Sequence, residues 1–141
     1  MRPRFLLDTN VIIRFLTQDD ATQLEKAKRL IGAAESGKCE LLLRPWIVAE
    51  AIYVLRDVYG LKDRAQVAGL LRRFVQASGI VTEGHDYILD ALTRYEKKNV
   101  DFAEALLAAE AASLGVRPAS FDRDLDKFSD VKRLEPGDSF S

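Results

Sequence analysis

Apolar positions along the chain alternate between short continuous runs and stretches with helical spacing. Arg4-Phe5-Leu6-Leu7-Asp8 is a brief apolar run ending on an acid, and it predicts a short buried strand. Val11, Ile12, Phe15 and Leu16 then recur with helical spacing, so the strand feeds directly into a helix over 9–17. A second helix follows to Ala33, capped by Asp19 or Asp20, with Leu24, Ala27, Leu30 and Ile31 on its apolar stripe. Ser36-Gly37-Lys38 breaks it, and 40–43 reads as a second strand. Pro45 opens the next helix at the position where a missing N–H costs nothing, and Gly60 ends it.

The same alternation continues. A helix is predicted over 63–77, a brief strand at 79–81, a helix over 83–98 and an alanine-rich helix over 101–114 closed by Gly115. Strands are expected at 116–120, where Pro118 suits an edge, and at 131–134, before a polar tail over 136–141. Short apolar strands alternating with amphipathic helices predict an α/β fold, a parallel sheet with helices on both faces. One domain over 1–135 accounts for the pattern, with no repeat or linker. Ligands of such sheets bind beyond the carboxyl ends of the strands, so functional groups belong just after strands or early in the following helices.

Composition narrows the class. The 141 residues are 48% hydrophobic and 30% charged, as in ordinary globular domains. One cysteine, Cys39, excludes an intrachain disulfide and a Cys-rich zinc module. No apolar run approaches the ~18 residues of a membrane span, and the start is too short for a signal peptide, so a soluble cytoplasmic protein is expected. A net charge of −1 lacks the basic excess typical of nucleic-acid binders, which makes the placement of the acids decisive.

Those acids fall where the sheet rule requires. Asp8 ends the first strand, Glu50 lies early in the helix after the second, Asp101 and Glu104 open the alanine-rich helix, and Asp122 follows the strand near Ser120, with Asp124 beside it. Each also has a local role open to it. Asp8 can cap its helix, Glu50 can reach solvent, Asp101 and Glu104 fit a capping box, and Asp122 can start a turn. Gathered without compensation, such carboxylates repel by about 4 kcal/mol per pair at about 4 Å for an effective dielectric near 20. Divalent cations relieve that repulsion, and oxygen-only ligation favours Mg²⁺ or Mn²⁺ over zinc. A carboxylate-held metal pair can activate water, steady a leaving oxygen and clamp a phosphodiester. Setting aside Asp8, Glu50, Asp101, Glu104 and Asp122 takes the net charge from −1 to +4. Arg14, Arg44, Arg72, Arg73, Lys97, Lys98, Arg117 and Arg123 are then candidates for a phosphate-binding rim, or are solvated helix faces.

Four segments in series carry a family resemblance: Leu6-Leu7-Asp8-Thr9-Asn10-Val11-Ile12, Val48-Ala49-Glu50-Ala51, Asp101-Phe102-Ala103-Glu104-Ala105-Leu106-Leu107-Ala108-Ala109 and Ser120-Phe121-Asp122-Arg123-Asp124. Together, over 5–134, they resemble a PIN-domain nuclease, most closely the VapC toxins of bacterial toxin–antitoxin pairs. The resemblance implies an α/β/α sandwich and a Mg²⁺- or Mn²⁺-dependent endoribonuclease holding one or two ions per site. It also implies a homodimer and an inhibitory VapB-like antitoxin. Matched by motif, Asp8, Glu50, Glu104 and Asp122 are the metal-binding acids. The third is normally Asp, so Glu104 departs by one methylene, and Asp101, one turn earlier, can share its role. Asp124 is an accessory ligand through water. Thr9, Asn10 and Ser120 are supporting positions, with Thr9 and Ser120 matching hydroxyls that orient the carboxylates. The implied reaction is hydrolysis of single-stranded or loop RNA by metal-activated water, leaving a 5′-phosphate.

Other readings are weaker. A haloacid dehalogenase-type phosphotransferase would place a second Asp where Asn10 stands, and a response-regulator receiver would pair acids at the first strand's end. A single histidine, His85, excludes a two-histidine ribonuclease mechanism. Trp46 is placed for base stacking, the core or a dimer interface. The remaining rival is a PIN-like module that binds RNA or protein without catalysis, kept open by Glu104.

Overall fold

The computed structural model describes residues 2–82 and 87–140. The chain divides into two compact units, Met1–Gly84 and His85–Ser141. The first is built on a three-stranded parallel sheet of order β1-β2-β3: β1 (Arg4–Leu6), β2 (Glu40–Leu42) and β3 (Ile80–Val81). Phe5 registers with Leu41, and Leu41 with Ile80. Arg2 and Arg4 add ion pairs to Glu40 across the first pair of strands.

Helices α1 (Thr9–Leu16) and α2 (Ala21–Glu35) connect β1 to β2, and α3 (Pro45–Tyr53) and α4 (Arg64–Val75) connect β2 to β3. Asp20 caps α2 by accepting from the Gln23 amide, Asp63 caps α4, and Pro45 sits in the first turn of α3. The apolar stripes converge as their spacing predicts, burying Ile12, Leu41, Val48, Leu55, Val67 and Leu71 completely or nearly so. Two features depart from the sequence pattern. β1 has β2 as its sheet neighbour and leaves Phe5 and Leu6 exposed, because an edge strand shields its side chains less than an interior one; only Leu7 is buried. The third helix does not run evenly to Gly60 but passes at Val54–Val58 into a π-helical segment.

The second unit pairs α5 (Tyr87–Lys97) with α6 (Phe102–Leu114), followed by a 3₁₀ turn at Arg123–Lys127. Ile88, Leu92, Tyr95, Ala105, Ala108 and Leu125 form its buried interior, with the Tyr95 and Phe102 rings meeting edge to face at 5.9 Å. Gly115 closes α6 in the left-handed region. The strands expected at 116–120 and 131–134 reduce to one parallel bridge, Ala119 with Leu134. Pro118 contributes only its carbonyl, which accepts from the Leu134 amide at 2.8 Å, so no regular ladder extends through it. The start of the predicted 83–98 helix and the position of His85 lie outside the described residues. Helices combined with a short parallel sheet make this a small α/β sandwich fold.

Candidate active site

In the first unit, Asp8 leaves β1 and caps α1, its Oδ1 accepting from the Thr9 amide at 2.7 Å. Both uses foreseen for Asp8 are therefore compatible, since one carboxylate oxygen satisfies a helix N–H while the other is available. Thr9 is buried, 4% exposed, and among the described residues its enclosed Oγ1 has no hydrogen-bond partner. A buried hydroxyl without a partner is costly, so Thr9 Oγ1 is a donor awaiting an acceptor beside Asp8. Glu50, exposed on the second turn of α3, lines the same cavity as Asp8, Thr9 and Asn10, a space of about 420 Å³.

Arg14 and Tyr59 line that cavity as well, beside the apolar Ile13, Val54 and Val58. Arg14 Nε donates to Gln23 Oε1 at 2.6 Å and its Nη1 to the Tyr59 hydroxyl at 3.1 Å. Tyr59 in turn donates to Asp19 Oδ2 at 2.7 Å. Hydrogen bonding from Tyr59, then from Thr17, and the charge of Arg14 hold the Asp19 carboxyl below its ordinary pKa. The π-helical segment lies between Glu50 and Tyr59 in sequence, and such segments recur at functional sites. Sequence patterning singled out Arg14 as a candidate cation but gave no sign of its bonds to Gln23 and Tyr59, which depend on long-range packing.

In the second unit, Asp101 occupies the N-cap of α6 without making a side-chain capping bond. The capping box open to Asp101 and Glu104 is thus not formed on the Asp101 side. Instead Glu104 interacts with Asp101 and Asp122. Burial first, then a hydrogen bond with the Asp122 carboxyl and the negative charges of Asp101 and Asp122, raise the Glu104 pKa above its ordinary value. Glu104 Oε2 is buried, with no hydrogen-bond partner among the described residues. Asp122 also has a local task, accepting from the Asp124 amide at 2.9 Å, while Ser120 Oγ accepts from the Asp122 amide at 2.9 Å. Ser120 therefore orients the Asp122 backbone. Asp124 pairs with Lys127 at 3.2 Å.

The chemistry of these donors fits a hard divalent cation. They are carboxylates and hydroxyls, and Glu104 carries an oxygen with no hydrogen bond in a setting that penalises its charge. Among the described residues, no three His, Cys, Asp or Glu side chains surround a point closely enough to form a finished metal cage. Mg²⁺ does not require one, because it retains several waters and takes one or two carboxylates, with substrate phosphate completing its shell.

A family model described as the PIN domain matches residues 5–131. The chain belongs to the PIN domain family. The match runs through all four acid-bearing segments and across both compact units. PIN domains are generally nucleases and typically use divalent metal ions, so this is a nuclease fold of the metal-dependent kind. No curated protein matches the sequence. Among the described residues, no helix of this PIN domain is long and apolar enough to cross a membrane.

Proposed function

We propose that this PIN domain is a Mg²⁺- or Mn²⁺-dependent endoribonuclease acting on single-stranded or loop RNA as the toxin of a toxin–antitoxin pair. The Asp101–Glu104–Asp122 group carries the reading, because Glu104 meets the charges of both aspartates there and its Oε2 finds no hydrogen-bond partner among the described residues. Asp8, Glu50, Glu104 and Asp122 are the proposed metal-holding acids, with Asp101 sharing the role of Glu104 and Asp124 acting through water. A divalent ion held by such carboxylates would lower the pKa of its water and offset the charge of a phosphodiester. Thr9 lies beside Asp8 with its backbone amide on the carboxylate, and Ser120 fixes the turn that presents Asp122. With the only histidine outside the four segments, no side-chain nucleophile is required. The VapC-type role, the homodimer and the VapB-like antitoxin follow from the resemblance of the four segments. An antitoxin arginine placed among the acids would displace metal, so a purified complex should cleave RNA more slowly than the free chain.

The test is cleavage of a fluorogenic single-stranded RNA with Mg²⁺, Mn²⁺ or EDTA, beside an identically purified Asp8→Asn variant. Loss of a ligand should lower the rate at least as much as loss of a residue supporting one, about 10–100-fold. Metal-dependent cleavage reduced in the variant is expected. RNA binding without cleavage in either metal would instead establish a non-catalytic PIN module.

A further inference from the structure

A second cavity, of about 300 Å³, lies between α1 and α2 and is lined by Asn10, Val11, Arg14, Gln23, Lys26 and Leu30. Asn10 and Arg14, one turn apart on α1, line both this cavity and the one holding Asp8 and Glu50. They form a shared ridge. The guanidinium on that ridge is held in place: Nε by Gln23 at 2.6 Å, Nη1 by Tyr59 at 3.1 Å and by Asp19 at 3.4 Å. These bonds use the Nε and Nη1 hydrogens, and among the described residues none is made by the pair on Nη2, which can serve a ligand. A fixed guanidinium gives up little rotamer freedom when it grips an anion, which is the advantage of a fork over a flexible ammonium.

We infer that the α1–α2 cavity seats a nucleotide of single-stranded RNA adjoining the one cut at the acid-lined cleft, with Arg14 gripping the phosphate that joins them. This inference rests on the ribonuclease reading. Lys26 supplies a second cation for the backbone, the Asn10 and Gln23 amides offer donors and acceptors to a base edge, and Val11 and Leu30 give an apolar wall. The arrangement also separates tasks by charge. Carboxylates serve the phosphodiester that is cut, and cations hold the neighbouring one, so substrate retention at this cavity does not depend on the metal-binding acids.

The experiment compares steady-state cleavage of a fluorogenic single-stranded RNA by the parent chain, Arg14→Gln, Arg14→Lys and Lys26→Gln over a range of salt. Arg14→Gln should raise KM about 10-fold, the scale of a lost charge-assisted hydrogen bond, with kcat little changed. The salt dependence of 1/KM should become shallower by about 0.7 in log–log slope for each phosphate contact removed. Arg14→Lys should recover part of the loss by keeping the charge. Lys26→Gln, which leaves the Arg14–Tyr59–Asp19 bonds intact, should also raise KM and reduce the slope. Parental KM and slope in both glutamine variants would overturn the inference and leave the cavity to a polypeptide partner. So would a loss confined to kcat, which would make Arg14 structural. A parent chain that neither binds nor cleaves RNA would overturn the ribonuclease reading itself, a failure seen before any variant is compared.

Discussion

Glu104 is held in a setting that opposes its own charge, and the consequence can be measured without any substrate. Its raised pKa means that, above the ordinary glutamate value and below the raised one, the folded chain keeps a proton that the unfolded chain has lost. Stability from this group therefore falls as pH rises through that window, and the full penalty is present above it. Glu104→Gln removes the charge. In EDTA, thermal melts between about pH 4 and pH 8 should show the variant gaining on the parent as pH rises. The same substitution should reduce metal-dependent cleavage by about 10–100-fold or more, so stability and activity move in opposite directions. A variant that loses stability at the upper end of the range would show that the ionised carboxylate is locally satisfied. Trp46 gives a simpler test. It is 64% exposed, which removes the core from the three roles open to it in sequence. Trp46→Ala should then change unfolding free energy in urea by no more than about 0.5 kcal/mol, where a core tryptophan would lose about 3–5 kcal/mol.

At the scale of elements, the caps and breaks were legible because they are local. Asp20, Asp63, Pro45, Gly60 and Gly115 fall where the chain's own turn chemistry puts them. The π-helical segment at Val54–Val58 has no mark in the apolar spacing, and the single bridge at Ala119 was not legible because its pairing is with Leu134, 15 residues on. Two glycines with similar backbone show how local and tertiary demands differ. Gly115 has φ +68° with open space around its Cβ position, whereas at Gly79, φ +86°, a Cβ would lie 2.4 Å from the Ala34 carbonyl oxygen. Gly115→Ala should cost about 1–2 kcal/mol, the strain of a left-handed alanine alone. Gly79→Ala carries that strain and also forces the end of α2 away from the turn before β3, adding about 1–3 kcal/mol of overpacking. Chemical denaturation of the two variants should therefore rank Gly79→Ala as clearly the worse. Equal losses would mean that α2 yields at its C-terminal end without resistance.

Across the whole molecule, charge is the property that joins fold to proposed chemistry. The family was legible in sequence through four acid-bearing segments in series, and a PIN domain model spans them all. What sequence could not supply was the surroundings: the Thr9 and Glu104 oxygens that lack a partner among the described residues, and the fixing of Arg14 by Gln23 and Tyr59. Without Asp8, Glu50, Asp101, Glu104 and Asp122, the net charge of −1 would be +4. Within the second unit, Asp101 and Asp122 act as like charges on Glu104. An ion that binds only the folded state stabilises it by mass action, about 2.7 kcal/mol at about 100 times its dissociation constant. Titrating Mn²⁺ into EDTA-treated protein should therefore raise the melting temperature in a saturable way, and adding EDTA should reverse the rise. Asp8→Asn and Asp122→Asn should each weaken the response, because each removes a charged oxygen donor. The increment should survive added monovalent salt better than a surface effect would, since ligation at short range is screened less than attraction between exposed charges. A melting temperature indifferent to Mn²⁺ at millimolar excess, or a rise identical in both variants, would place any metal response outside these acids.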